Sequence, residues 1–425
     1  MRLRKFQFVL LSGALLLVAA SPASSYSVLT HEAIIDSAWD TSIKPLLLSR
    51  FPGATPEQLV EAHAYAYGGS IIQDMGYYPF GSKLFTDLLH YVRSGDFVLN
   101  LLRESQDLNE YSFSLGALAH YAADNDGHRM ATNVAVPLLY PKLRLQFGNL
   151  VTYSDDPLSH VKTEMAFDVL QVAQGHYAPD GYHGFIGFKV ARPVLERAFQ
   201  DTYGMKLEDV FTSVSLAIGS YRHAVSSTIP AMTRVAWQMK KSEILRDAPG
   251  TTRRKFIYNL SRASYQKDWG KEYQQPGFRS RLLVFVFSIL PRVGRSRALR
   301  FETPTPAVEK IFMASFNATL DRYRALLAAQ QAGTLILPNE NFDVGEPTKA
   351  GMYKLSDHCY AQLLGKLAGH YPDVQPELRL NILAFYGDLS APISTKTDAA
   401  EWAKVTRELE ELRAVGVGTA LLQPR

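Results

Sequence analysis

Apolar residues recur along this chain three and four positions apart, as in Leu84, Leu88, Leu89, Val92 and Phe97, or in Leu115, Leu118, Ala119 and Ala122, and alternating apolar and polar runs are few. That period lines apolar groups along one face of a helix, whereas a half-buried strand needs a period of two. The pattern predicts an all-α fold, a compact multi-helix unit followed by a helical C-terminal extension. Gly- and Pro-bearing stretches punctuate it at Tyr77-Tyr78-Pro79-Phe80-Gly81, Ala178-Pro179-Asp180-Gly181, Ala248-Pro249-Gly250 and Pro338 to Pro347, and read as turns between helices. With 425 residues, 47% of them hydrophobic and 20% charged, the chain can fill one large core or two smaller ones, and disordered or collagen-like classes are excluded. We place the division at Ala248-Pro249-Gly250, giving residues 26–247 as one helical unit and 248–425 as a second.

The first 25 residues have the form of a secretory signal peptide. Arg2, Arg4 and Lys5 precede an apolar run from Phe6 to Ala20, and Ala23-Ser24-Ser25 supplies the small residues of a cleavage site. Cleavage there would leave Tyr26 as the new N-terminus of a secreted or periplasmic protein and lower the formal net charge from +4 to +1, since three Lys or Arg leave with the leader. No later apolar stretch reaches the roughly 20 residues that cross a bilayer. Cys359 is the only cysteine, so size and metal, rather than an intrachain disulfide, must hold the fold.

Chemistry concentrates in residues 118–128, Leu-Ala-His-Tyr-Ala-Ala-Asp-Asn-Asp-Gly-His. Residues four apart stack on a helix, so His120, Asp124 and His128 project from nearly one face as nitrogen, oxygen and nitrogen donors, a set suited to zinc. Gly127 is a possible helix end that would turn His128 away from that face. His160 and Glu164 repeat the i, i+4 pairing, and Asp74 and His90 stand singly; beside Leu88 and Leu89, His90 taken alone reads as a core histidine. His63, His176, His183, His223, His358 and His370 lack comparable partners and read as structural. At a cleaved N-terminus, the Tyr26 amine and carbonyl could bind metal with His31, while Thr30 could cap a helix beginning near His31.

In order and spacing these elements resemble the zinc-dependent phospholipase C family and its relatives, the single-strand-specific fungal nucleases and the glycosylphosphatidylinositol phospholipases D, over roughly Tyr26 to Phe211. The resemblance implies one zinc held by Asp74, His90, His120 and Asp124, a second by His128, His160 and Glu164, and a third by Tyr26 and His31, with Asp124 bridging the first and third. It assigns Asp74 to orient or deprotonate the attacking water. Two departures stand out. His128 follows Asp124 by four residues, with Gly127 between them, where phospholipases and nucleases commonly place Pro-x-His six residues on. Met75 and Asp87 hold positions that are aromatic in the bacterial choline-phospholipid enzymes, so a choline cage would need Tyr77, Tyr78 or Phe80.

Between Arg246 and Arg300, thirteen Lys or Arg face three acids around the apolar run Leu282 to Pro291. Such a segment can lie on a membrane, track a nucleic-acid backbone, or pack its apolar face on the first unit. Residues 339–345 read as a turn. The expected function is that of an exported zinc-dependent phosphodiesterase acting on phospholipid at a membrane surface, with no obligate protein partner. The alternatives are a single-strand-specific nuclease, whose partner is nucleic acid, and a catalytically silent, metal-stabilised protein that binds membranes or a partner.

Overall fold

A computed structural model describes residues 27–174, 188–225, 241–242, 245–246 and 301–420. The expected leader, Tyr26, the boundary tripeptide at 248–250 and the basic stretch beyond Arg246 lie outside the described residues.

The fold is all-α, as the apolar spacing predicts. The helices relevant to the site are α1 (Val28–Ala38), α2 (Lys44–Arg50), α3 (Pro56–Ser70), α4 (Lys83–Tyr91), α5 (Ser94–Glu104), α6 (Leu108–Gly127), α7 (Asn133–Leu139), α8 (Pro141–Phe147) and α9 (Pro157–Gln174). They are followed by α10 (Arg192–Tyr203), α11 (Val214–His223), α12 (Pro306–Gln331), α13 (Lys354–Leu367), α14 (Pro376–Phe385) and α15 (Ala399–Ala420). Among the described residues, extended structure is limited to a two-residue antiparallel ladder that pairs Glu340 with Pro347 and Asn341 with Glu346.

Local sequence explains where these helices begin. The Ser82 hydroxyl accepts the Phe85 amide at the start of α4, the Asp107 carboxylate accepts the Glu110 amide at the start of α6, and Asp156 accepts the Ser159 amide at the start of α9. Each cap satisfies one of the amides that a helix leaves without an internal partner. Helix α3 begins with a capping box between Thr55 and Gln58. Thr30 does not cap a helix near His31: α1 already begins at Val28, and the Thr30 hydroxyl donates to Asp168 Oδ1 at 2.6 Å. The start of α1 is held from α9, because Asp168 also accepts the Leu29 amide at 3.0 Å.

Helices α3 and α6 form the most extensive pair, and glycine makes their close approach possible. A Cβ at Gly69 would fall 1.9 Å from the Phe113 carbonyl oxygen, and one at Gly116 would fall 2.0 Å from that of Ala66. Only the absence of side chains at these positions brings the two backbones together. Helix α12 packs on α6, where the Tyr323 hydroxyl donates to the Leu115 carbonyl, and also meets α9, where Phe312 stacks on Phe167. Phe312 and Tyr323 are fully buried, and each such side chain contributes roughly 2 kcal/mol of transfer free energy. Residues on both sides of the undescribed stretch therefore share one apolar core. Arg322 strengthens the junction by binding Asp126 at 3.1 Å and Glu340 at 2.8 Å.

Candidate metal centre

Histidine and carboxylate side chains meet at the end of α6 in two buried groups. One holds Asp74, His90, His120 and Asp124, the other His128, His160 and Glu164; within each, one potential ligand atom per residue lies within 4.8 Å of the rest. His120 and Asp124 face each other one turn apart, Nε2 to Oδ2 at 3.1 Å. His90 Nε2, from α4, lies 3.3 Å from Asp124 Oδ2 and 3.4 Å from Asp74 Oδ1. His31 joins from α1, stacked on His120 at 4.6 Å with its Nε2 3.4 Å from Asp124 Oδ1. Asp124 thus faces His31 through Oδ1 and His90 and His120 through Oδ2. Tyr26, expected to act with His31, lies outside the described residues.

The α-helical hydrogen-bonding of α6 stops at Gly127, but the chain does not turn away there. The chain continues into a wider turn at His128–Thr132, closed by the Asn133 amide on the His128 carbonyl. His128 enters the second group, where its Nε2 lies 3.9 Å from Glu164 Oε1. His160 and Glu164 sit one turn apart on α9, with Nδ1 and Oε1 2.8 Å apart.

The backbone orients three of these rings. His90 Nδ1 lies 2.9 Å from the Thr86 carbonyl oxygen, His120 Nδ1 2.9 Å from that of Ser70, and His128 Nδ1 2.9 Å from that of Phe342. A carbonyl can only accept, so each Nδ1 carries a proton and Nε2 is the nitrogen that a metal would take, displacing any proton held there by the facing carboxylates. The close α3–α6 contact is what carries the Ser70 carbonyl to His120. Thr86 has a further role: its hydroxyl donates to the Gln73 carbonyl and accepts the Gly76 amide, fixing the turn that carries Asp74. His160 is held differently, because its Nε2 lies 2.8 Å from Asn133 Oδ1 and its Nδ1 faces Glu164. Binding a metal through His160 requires one of these contacts to be exchanged.

The charges call for a cation. Asp74 is 1% exposed, and its carboxylate has no short hydrogen bond, its one polar neighbour among the ligands being His90 Nε2 at 3.4 Å from Oδ1. A buried carboxylate without hydrogen bonds is costly unless a positive charge comes to it. Burial pushes the Asp124 carboxyl up, but His120, His90 and His31 outweigh it and hold Asp124 well below the usual carboxylate range. Burial, with His120 and His128 nearby, lowers the pKa of His31 to about 4 despite Asp124 and Asp74. Burial and His128 likewise lower His160. Both rings are therefore neutral at pH 7, the form that binds metal. On His90 and His120 burial is outweighed by the facing carboxylates Asp124 and Asp74, which raise their pKa values. The donor set, the orientation of the rings and the unsatisfied Asp74 all fit divalent metal, and both groups could hold it.

The turn expected at 339–345 is narrower, residues 342–345 at the head of the Glu340–Asn341 ladder, and it is built against this centre. Besides accepting from His128, Phe342 donates its amide to the His90 carbonyl at 3.1 Å, and its ring packs against His90, His120 and Tyr121. The Asp343 carboxylate accepts the hydroxyls of Tyr91 and Tyr353 and lies 3.5 Å from His128 Nδ1, while the Asp343 carbonyl accepts from Asn133. Sequence reasoning did not single out Asp343 or Asn133, since neither stands at ligand spacing from another donor. Of the aromatics considered for a headgroup cage, Tyr77 lies edge-on to His90, whereas Tyr78 packs on Tyr221 and Phe80 is 59% exposed. Tyr153, also missed, packs edge-on against His160 and lies 6.4 Å from Tyr77. Among the histidines read as structural, His63 is sandwiched between Trp39 and Tyr67, and His358 faces Glu401; His176 and His183 lie outside the described residues.

Comparison with known proteins gives one result. Residues 30–212 match the family model described as zinc dependent phospholipase C, a span that contains both metal-capable groups but ends before Phe342 and Asp343. Neither the curated proteins nor the solved structures yield a match to the chain.

Proposed function

Because residues 30–212 match the family model of zinc dependent phospholipase C, we propose that this protein is an exported zinc phosphodiesterase that hydrolyses phospholipid. The observation that carries this reading is the convergence of Asp74, His90, His120 and Asp124, with the buried Asp74 carboxylate lacking any short hydrogen bond. Asp74, His90, His120 and Asp124 would hold one zinc, His128, His160 and Glu164 a second, and His31 with the Tyr26 amine and carbonyl a third. Zinc bound there would polarise the phosphate and acidify the attacking water.

The chain's own groups do the rest. Asp74 would orient the attacking water and accept its proton, the role its family position implies. The Nδ1 contacts to Thr86, Ser70 and Phe342 keep His90, His120 and His128 from turning, so the donors need little reorganisation during the reaction. Tyr77 and Tyr153 stand beside one histidine of each group, and burial raises both phenols, leaving them protonated donors at neutral pH that can reach a phosphate or headgroup oxygen. No helix among the described residues is long and apolar enough to cross a membrane.

The test is metal content per chain of the exported, N-terminally sequenced protein, together with phosphate-ester release from a phospholipid panel and from single-stranded DNA, with and without chelator. Two to three zinc ions and chelator-sensitive release from lipid would support the proposal. Release from DNA alone would make the protein a nuclease, and protein beginning at Tyr26 without zinc would overturn the metal assignment.

A further inference from the structure

Residues 138–150 form an exposed excursion of unusual composition. Helix α8 within it has no buried residue, and Leu145 is 90%, Leu150 59%, Leu138 45% and Phe147 37% exposed. Single exposed apolar residues are common, but four on one short excursion mark a surface that meets another phase or partner. The conformation is fixed rather than loose. Pro141 starts the helix, the Gly148 amide closes it on the Arg144 carbonyl at 2.9 Å with φ of +90°, and Arg144 Nε donates to Asn149. The only charged residues between 138 and 150 are Lys142 and Arg144.

The base of the excursion is part of the metal centre. The Val151 amide donates to the Asn133 carbonyl at 3.0 Å, Asn133 Oδ1 contacts His160 Nε2, and Tyr153 packs on His160. The apolar tip therefore rises from the wall of the second metal-capable group.

We propose that residues 138–150 are a membrane-docking lobe, in which Leu138, Leu145, Phe147 and Leu150 enter the outer part of a phospholipid bilayer while Lys142 and Arg144 meet its phosphates. Exposed leucine and phenylalanine beside cations, with no acidic residue among them, is the composition of segments that lie in a lipid interface. The bilayer is favoured over a protein partner by this uncompensated positive charge, which complements an anionic surface. The inference rests on the phospholipid reading of the site, since docking here would set the second group beside its substrate. It is distinct from the basic stretch at 246–300.

The experiment measures binding of the full-length protein to vesicles of phosphatidylcholine, with and without phosphatidylglycerol, by co-sedimentation. Hydrolysis of a short-chain phosphatidylcholine is followed in parallel below its micelle concentration. The triple variant Leu145→Ser, Phe147→Ser, Leu150→Ser should weaken vesicle binding roughly tenfold or more, because each side chain is already exposed and loses only its transfer into lipid. Helical circular dichroism and hydrolysis of the dispersed substrate should stay at wild-type values. The double variant Lys142→Glu, Arg144→Glu should weaken binding to phosphatidylglycerol vesicles more than to phosphatidylcholine alone. Equal vesicle binding by wild type and triple variant would overturn the proposal. So would a wild-type dimer that the triple variant converts to monomer, since the face would then be a self-association surface. Vesicle binding through this face without hydrolysis of any phospholipid would leave the lobe standing and sink the enzymatic reading instead.

Discussion

Replacing Asp343 by Asn tests whether the chain beyond the family-matched region completes the metal centre. The carboxylate accepts from Tyr91, which is fully buried, and from Tyr353, and it lies 3.5 Å from His128 Nδ1. Both phenols donate to the same oxygen, Oδ2, while Oδ1 faces His128; asparagine keeps one acceptor oxygen for the phenols but takes away its charge, weakening both bonds at a cost of about 1–3 kcal/mol in stability. It also removes the negative charge that supports the protonated Nδ1 of His128. Loss of such an outer partner typically lowers metal affinity about 10- to 100-fold, or about 1.4–2.7 kcal/mol. The effect should fall on His128, His160 and Glu164 and spare the group containing Asp74, because the Phe342 backbone and ring are untouched. Phe342→Ala should do the reverse, removing the ring that packs on His90 and His120 while leaving its carbonyl for His128. Zinc titration against a chromophoric chelator resolves the two affinities, and thermal unfolding records stability separately. If Asp343→Asn lowers the melting temperature while both affinities match wild type, Asp343 merely ties the turn to α4 and Tyr353, and the reasoning is wrong.

Other consequences follow from the same geometry. Asp74→Asn should reduce hydrolysis roughly 100-fold or more while the protein remains folded, because the proposed proton acceptor is lost; near-wild-type turnover by metal-loaded variant would exclude Asp74 from that role. Zinc should raise the unfolding temperature, by about 2.7 kcal/mol of stability at a hundred-fold excess over its dissociation constant, and a melting curve insensitive to both zinc and chelator would argue against native-state binding. Gly116→Ala should destabilise by about 1–3 kcal/mol, since its Cβ would strike the Ala66 carbonyl, and it should also weaken the group that contains His120 by displacing Ser70. Burial outweighs the hydrogen bonds from Thr30, Ser27 and Leu29 and pushes Asp168 up from 3.8 to about 6, so the fold favours its protonated form. Its contribution to stability is then fullest below the unfolded pKa and is lost as pH rises through about 6, a change on the order of 3 kcal/mol. Asp168→Asn should accordingly gain stability relative to wild type between pH 4 and 7 in urea unfolding, and a pH-independent difference would contradict the assignment.

What the sequence could reveal about this site follows from how each contact is made. His120 with Asp124 and His160 with Glu164 are legible because a helix turns a spacing of four into a contact, and the apolar period shows that these stretches are helical. Asp74 and His90 are harder, since a tertiary fold brings them to α6 and only their order along the chain, matched to a family, singles them out. The partners of the ligands are harder still. Ser70, Thr86 and Phe342 act through backbone carbonyls, which every residue has, so no side-chain pattern marks them. Phe342 lies 214 residues from the histidine it orients, in a turn whose Asn and Asp residues look like ordinary loop composition. The buried Asp343 resolves the ambiguity only once Tyr91 and Tyr353 are seen around it. The division of labour has a physical basis: ligands must present particular atoms and so leave a signature in residue type, whereas the groups that aim them need only a lone pair in the right place. That is why the family match can end at residue 212 while the chain that orients His128 continues past residue 340.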